Sequence, residues 1–163
     1  MSASHVSYYF DNKAAILEYY SVGLCEQMLA ELPDLAEPDT ERMADAIASF
    51  CFGRGQLNTA FLGVIQEISG LAVHDQELRK IKTAHATAWR KYFETFFGRV
   101  EPTNGLAPRE AAMLAHAMLV GLDTNTLFDR GLSREHAHRL FRRTLRSLAG
   151  LNDTIPALDR RTD

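Results

Sequence analysis

Cysteine is almost missing from this chain of 163 residues: only Cys25 and Cys51 occur. Both sit inside helical patterns, and neither has the paired spacing of a zinc or redox motif. A disulfide-stapled fold is therefore excluded, and a reduced, cytoplasmic setting is expected. Long apolar runs are lacking as well. The longest, Ala111–Leu122, is broken by His116 and stays short of the ~20 apolar residues that span a bilayer, so no membrane partner is expected. No basic-then-apolar leader opens the chain. Charge of one sign is not in excess: 18 Lys and Arg stand against 21 Asp and Glu, a net charge of −3, which gives no global attraction to nucleic acid.

Catalytic signatures are missing too. His136 and His138 are two apart on a helical pattern and point to different faces, unlike a zinc pair at i and i+4. Neither cysteine has a neighbouring histidine to act as its base. Gly53 and Gly55 do not follow a strand, as a dinucleotide fingerprint requires. Asp123, Asn125 and Asp129 read as the polar end of a helix. No enzyme activity, no metal and no cofactor are expected.

What the chain does have is helical periodicity. With 46% hydrophobic and 24% charged residues, it has the material for one ordinary domain with a real core. Ile16, Leu17, Tyr20, Leu24, Met28 and Leu32 recur every three or four residues, predicting a helix from Lys13 to Leu32 that ends at Pro33. Asp39 or Thr40 caps the next, which carries Met43, Ala46, Ile47 and Phe50 and breaks down near Gly53 and Gly55. Leu57–Val73 is apolar on more than one side, as an inner helix would be. Asp75 caps a long helix, Gln76–Phe97, and Pro108 opens another that runs to about Asp129. Ser133 caps the last, with Ala137, Phe141, Leu145 and Leu148 on one side. No segment alternates with the period of a strand and none repeats. The fold class is all-α, a multi-helix bundle, with a polar tail over residues 151–163.

The start of the chain narrows this further. Ser4-His-Val-Ser-Tyr-Tyr-Phe10 ends a short polar and aromatic segment. Asp11 and Asn12 can cap a helix, and Lys13 and Leu17 follow. This resembles the end of a TetR-family helix-turn-helix, which runs a small residue, a polar one, a hydrophobe, a polar or aromatic pair, then Phe-x-x-Lys-x-x-Leu. Here the leucine falls one residue late. The Ser7-Tyr8-Tyr9-Phe10 variant is similar to the BetI-like branch. Val73-His-Asp-Gln-Glu-Leu-Arg79, Gly121-Leu122 and the start at Leu132-Ser-Arg-Glu resemble recurrent phrases of the family's regulatory body. The resemblance implies a remnant of the DNA-binding head over residues 1–12, a ligand-binding and dimerisation domain over 13–150, and a missing pair of head helices. Nine residues alone are too short to hold a helix, so DNA is expected as a partner only if those helices are present.

Three sets of residues follow. His5, Tyr8 and Tyr9 would face the major groove, with Ser7 and Lys13 on phosphates; the competing reading is an unstructured start whose aromatics cap the next helix. Phe50, Phe61, Ile65, Trp89, Phe93 and Met113, with His85 and His116 as polar anchors, would line a pocket for a small apolar or amphipathic inducer; the competing reading is plain core. Met118, Leu122, Ala137, Phe141, Leu145 and Leu148 would form a two-fold interface between the last two helices of a homodimer; the alternative is that both helices complete one core. The arginines of the last helix (Arg134, Arg139, Arg142, Arg143 and Arg146) surround its apolar stripe and read as a solvated or inter-subunit face. The leading function is a ligand-responsive transcriptional regulator, a repressor by resemblance, with its head truncated. The alternatives are a head-less antagonist that pairs with a full-length relative, or a helical small-molecule binding module.

Overall fold

Helix starts are decided locally, and three side chains make them. The computed structural model describes residues 13–53, 59–100, 105–129 and 131–151, with all side chains of these except those of Lys13, Ala14, Leu24 and residues 59–61. The Asp39 carboxylate accepts from the amides of Glu41 and Arg42 at 3.0 and 3.2 Å. Asp75 does the same for Glu77 and Leu78 at 2.9 and 3.1 Å, and the Ser133 hydroxyl accepts from His136 at 3.1 Å. Each satisfies donors that a first turn leaves open. Pro108 needs no such donor at its first-turn position, and the Glu110 carboxylate accepts from the Ala107 amide at 2.9 Å.

Six helices result among the described residues: α1 Lys13–Ala30, α2 Thr40–Phe52, α3 Thr59–Leu71, α4 Gln76–Phe97, α5 Pro108–Phe128 and α6 Arg134–Leu148. The expected boundaries for α4 agree at both ends, and those of the others differ by one or two residues. Gly150 terminates α6 with φ +68°, where the Leu151 amide returns to the Arg146 carbonyl at 2.9 Å; a left-handed residue at this place favours glycine. The all-α class and the absence of strands among the described residues agree with the periodicity.

Two apolar clusters hold the helices. The larger joins α2, α4, α5 and α6 around Phe93 and Phe141, both fully buried. Their rings lie 6.1 Å apart, Phe52 meets Phe141 edge-on at 5.5 Å, and Trp89 stacks on Phe93 at 5.4 Å. Alanines 111, 112 and 115 present α5 to this cluster with little bulk, so α4 and α5 approach closely. The smaller cluster is Leu17, Ile68, Ala72 and Leu78, where α1, α3 and α4 converge.

Burial within the chain fixes what the α6 stripe does. Ala137, Phe141 and Leu145 are all 0% exposed, so they face the chain's own core rather than its surface. Leu122 is likewise buried, Leu148 is half-buried, and Met118 is exposed. Two arginines of α6 reach across to α2, Arg146 buried and Arg142 exposed. Arg142 binds Asp45 of α2 through two bonds, at 2.5 and 2.7 Å, and Arg146 reaches Glu41 at 3.1 Å. They tie α6 to α2.

Candidate ligand cavity

Between α3, which belongs to the smaller cluster, and the aromatic wall of the larger one lies a cavity of about 460 Å³. That is within the usual range of small-molecule sites, ~300–1,000 Å³. Leu62, Ile65, Gln66 and Ser69 come from α3 and His116, Leu119, Val120 and Asp123 from α5. The α4 wall carries Arg79, Lys82, Thr83, His85, Ala86, Trp89 and Arg90 at helical spacing, while α1 adds Met28 and α2 adds Phe50 and Cys51. Gln66 donates to the Thr124 hydroxyl at 2.8 Å, a strut from α3 to α5.

The expected pocket residues divide by position. Phe50, Ile65, His85, Trp89 and His116 line the cavity together. Phe93 stands behind Trp89 and is fully buried. Met113 points outward with 52% exposure. The side chain of Phe61 lies outside the described residues, as do His5, Ser7, Tyr8, Tyr9 and the side chain of Lys13. Lys82 and Arg90 were not singled out from the sequence, and Asp123 was read only as part of a polar helix end. A signal for Lys82 existed: it precedes His85 and Trp89 by three and seven residues, so a cation shares the inner face with an aromatic.

Polar groups in this wall have unusual protonation. Trp89 Nε1 donates to His85 Nε2 at 3.0 Å. A nitrogen that accepts carries no proton, so the neutral ring holds its hydrogen on Nδ1. Burial, reinforced by the Lys82 and His116 charges, pulls the pKa of His85 from 6.5 to about 4. His116 is also lowered, by burial and then by Arg90 and Lys82, and burial lowers the Lys82 ammonium. At neutral pH both histidines are therefore uncharged hydrogen-bonding groups. Asp123 moves the other way, up to about 7, because burial outweighs the Arg134 guanidinium lying 4.0 Å away. Arg134 itself donates to the Cys51 carbonyl at 2.9 Å and lies over the Phe52 ring. Burial likewise raises the Cys51 thiol well above its ordinary value, so it is no nucleophile.

No group of three metal-ligating side chains gathers among the described residues, and no helix among them is long and apolar enough to cross a membrane. A helical bundle built around an internal cavity, with amide, imidazole and cationic groups spaced along apolar walls, is the class of domain this geometry defines. The sequence matches the family described as BetI-type transcriptional repressor, C-terminal, over residues 38–150. The chain belongs to the TetR family of transcriptional regulators, with a BetI-type C-terminal domain.

Solved structures agree in fold. A transcriptional regulator from Rhodococcus sp. Rha1 superposes with a TM-score of 0.77 at 16% identity, covering 96% of this chain and 83% of that one. A chain assigned to the TetR family, from Rhodococcus sp., gives 0.70 at 16% identity, covering 91% and 81%. No curated protein matches the sequence. The family is one of transcriptional regulators and not of enzymes.

Proposed function

We propose that this chain is the sensing and pairing body of a ligand-responsive repressor that acts as a homodimer. The carrying observation is the cavity of about 460 Å³ whose wall includes α1, the helix that leads directly from residues 1–12 into the body. Met28 of α1 lines the cavity, while Leu17 of the same helix is locked into the smaller cluster. An occupant that displaces Met28 would therefore swing the helix entering from the DNA side. Inducer binding would favour the body geometry in which paired heads no longer match two half-sites, ~34–36 Å apart. Operator contact is assigned to His5, Ser7, Tyr8, Tyr9 and Lys13, acting with the two preceding head helices where a longer protein supplies them.

Pairing rests on α5. Leu114, Met118 and Phe128 are 50%, 37% and 74% exposed and fall on one arc of the helix, with Ala117, Gly121 and Asn125 between them. A stripe of large apolar side chains flanking a glycine suits a second copy of the same helix packing across a two-fold axis. Half-buried Leu140 and Leu148 of α6 extend the apolar character beside it.

The test is thermal unfolding against a panel of small amphipathic compounds, with Ala86→Phe as the variant that fills the cavity. A ligand at 100 times its Kd should add about 2.7 kcal/mol and raise Tm by roughly 5–10 °C for a domain of this size. The shift should vanish in Ala86→Phe. Equal shifts in both proteins would place binding elsewhere and end the cavity reading.

A further inference from the structure

The chain carries a net charge of −3, yet the described residues of the cavity wall include three cations, Arg79, Lys82 and Arg90, against one carboxylate, Asp123. The cations differ in how occupied they are. Arg79 donates to the carbonyls of Ala72 and Val73 at the end of α3. Arg90 donates to the Ala86 carbonyl and the Thr87 hydroxyl. Lys82 is half-buried and has no hydrogen-bond acceptor and no ion pair among the described residues. One turn on, His85 has its Nε2 occupied by Trp89, which leaves the Nδ1–H as a donor without a described acceptor. The only carboxylate among the described residues of the wall sits seven residues beyond His116 on α5, about 10 Å along the helix, and faces Arg134.

A half-buried ammonium with no counter-charge is costly, and an anion that supplies one regains part of that cost. Beyond the polar corner the walls are apolar: Phe50, Leu62, Ile65, Trp89 and Leu119. We infer that the cavity takes an amphipathic carboxylate, its acid group against the Lys82 ammonium and the His85 Nδ1–H and its apolar body against Trp89 and Phe50. This inference rests on the ligand-cavity reading above and adds the sign of the ligand's charge to it. An organic cation of the same size is disfavoured at this corner, because it would meet the Lys82 ammonium, with Arg79 less than one turn away on α4.

Trp89 is the only tryptophan of the chain and forms part of the wall, so its emission reports occupancy. The experiment titrates the full chain with three probes that share one body: 4-phenylbutyrate, 4-phenylbutanol and protonated 4-phenylbutylamine. One charge-assisted bond corresponds to roughly 10- to 100-fold in affinity. The acid should bind at least about 10-fold tighter than the alcohol, and the amine weakest. Lys82→Met, which keeps the apolar stem, should erase the advantage of the acid and change the alcohol by about two-fold or less. Lys82→Arg should retain it, which separates a charge effect from damaged packing. An alcohol or amine that binds as tightly as the acid, or a Lys82→Met protein with undiminished acid affinity, overturns the inference while leaving the cavity reading intact. No response to any of the three overturns it as well, and the Ala86→Phe comparison then judges the cavity reading separately.

Discussion

Replacing Phe141 by alanine separates the two jobs that an apolar stripe on α6 can have. Its ring is 0% exposed and meets Phe52 at 5.5 Å and Phe93 at 6.1 Å. Truncating a buried phenylalanine costs about 3–5 kcal/mol in lost burial and cavity formation, and a share of two edge-on ring contacts is included in that figure. Taking about 4 kcal/mol and ~2 kcal/mol per molar for the urea dependence, the unfolding midpoint should fall by roughly 2 M. The same loss corresponds to a drop in Tm of roughly 8–16 °C. Urea titration followed by Trp89 emission and circular dichroism measures it, and sedimentation equilibrium measures the mass. Phe141→Ala should lower the midpoint and leave the proposed homodimer paired at concentrations where the fold persists. Met118→Glu, on the exposed α5 stripe, should do the reverse, yielding a folded monomer. A Phe141→Ala protein that loses less than about 1 kcal/mol, or that dissociates with its fold undiminished, would refute this assignment of faces.

Two further predictions concern charge. His85 has its pKa pulled from 6.5 to about 4; its folded value lies below its unfolded one, so the stability it contributes is complete above about 6.5 and is lost as pH falls toward 4. NMR titration of the His85 ring should give a midpoint near 4, and Trp89→Phe, which removes the donor to Nε2, should raise it; a midpoint near 6.5 in the parent chain would contradict the buried arrangement. Asp45 receives both Arg142 bonds and lies 3.8 Å from Arg146. Asp45→Ala should cost about 1 kcal/mol in urea unfolding, shrinking as salt is added, and a salt-independent loss would show that the pair acts through packing alone.

Local signals were legible and distant partners were not. Asp39, Asp75 and Ser133 announce helix starts because a cap binds amides two or three residues away, so the six helices and the all-α class could be read directly. Five of the eight expected pocket residues share the cavity wall for a related reason: their spacing selects the inner faces of α2, α3, α4 and α5. The limits appear where spacing cannot say what covers a face. The α6 stripe reads as buried, but only the packing of α2 and α4 shows that its own chain does the covering. Arg142 and Arg146 look like a free basic face until Asp45 and Glu41, some hundred residues earlier in the chain, meet them. Met113 and Phe93 lie on helices that do line the cavity, yet one turns to solvent and the other sits a layer too deep. Lys82 is half-buried where lysines on amphipathic helices are usually exposed.

The unequal size of the two apolar clusters has a consequence for how the domain opens. Among the described residues, twenty buried side chains hold the larger cluster and four hold the smaller, so releasing α3 and the start of α1 should cost less free energy than global unfolding. The cavity lies along this energetic seam, with one wall on each side. An occupant bridging the seam would join a weakly held cooperative unit to a strongly held one, and part of its binding free energy would be spent on restraining motion. Under the proposed function, the signal to the DNA side would be carried as much by how firmly α1 is held as by where it points.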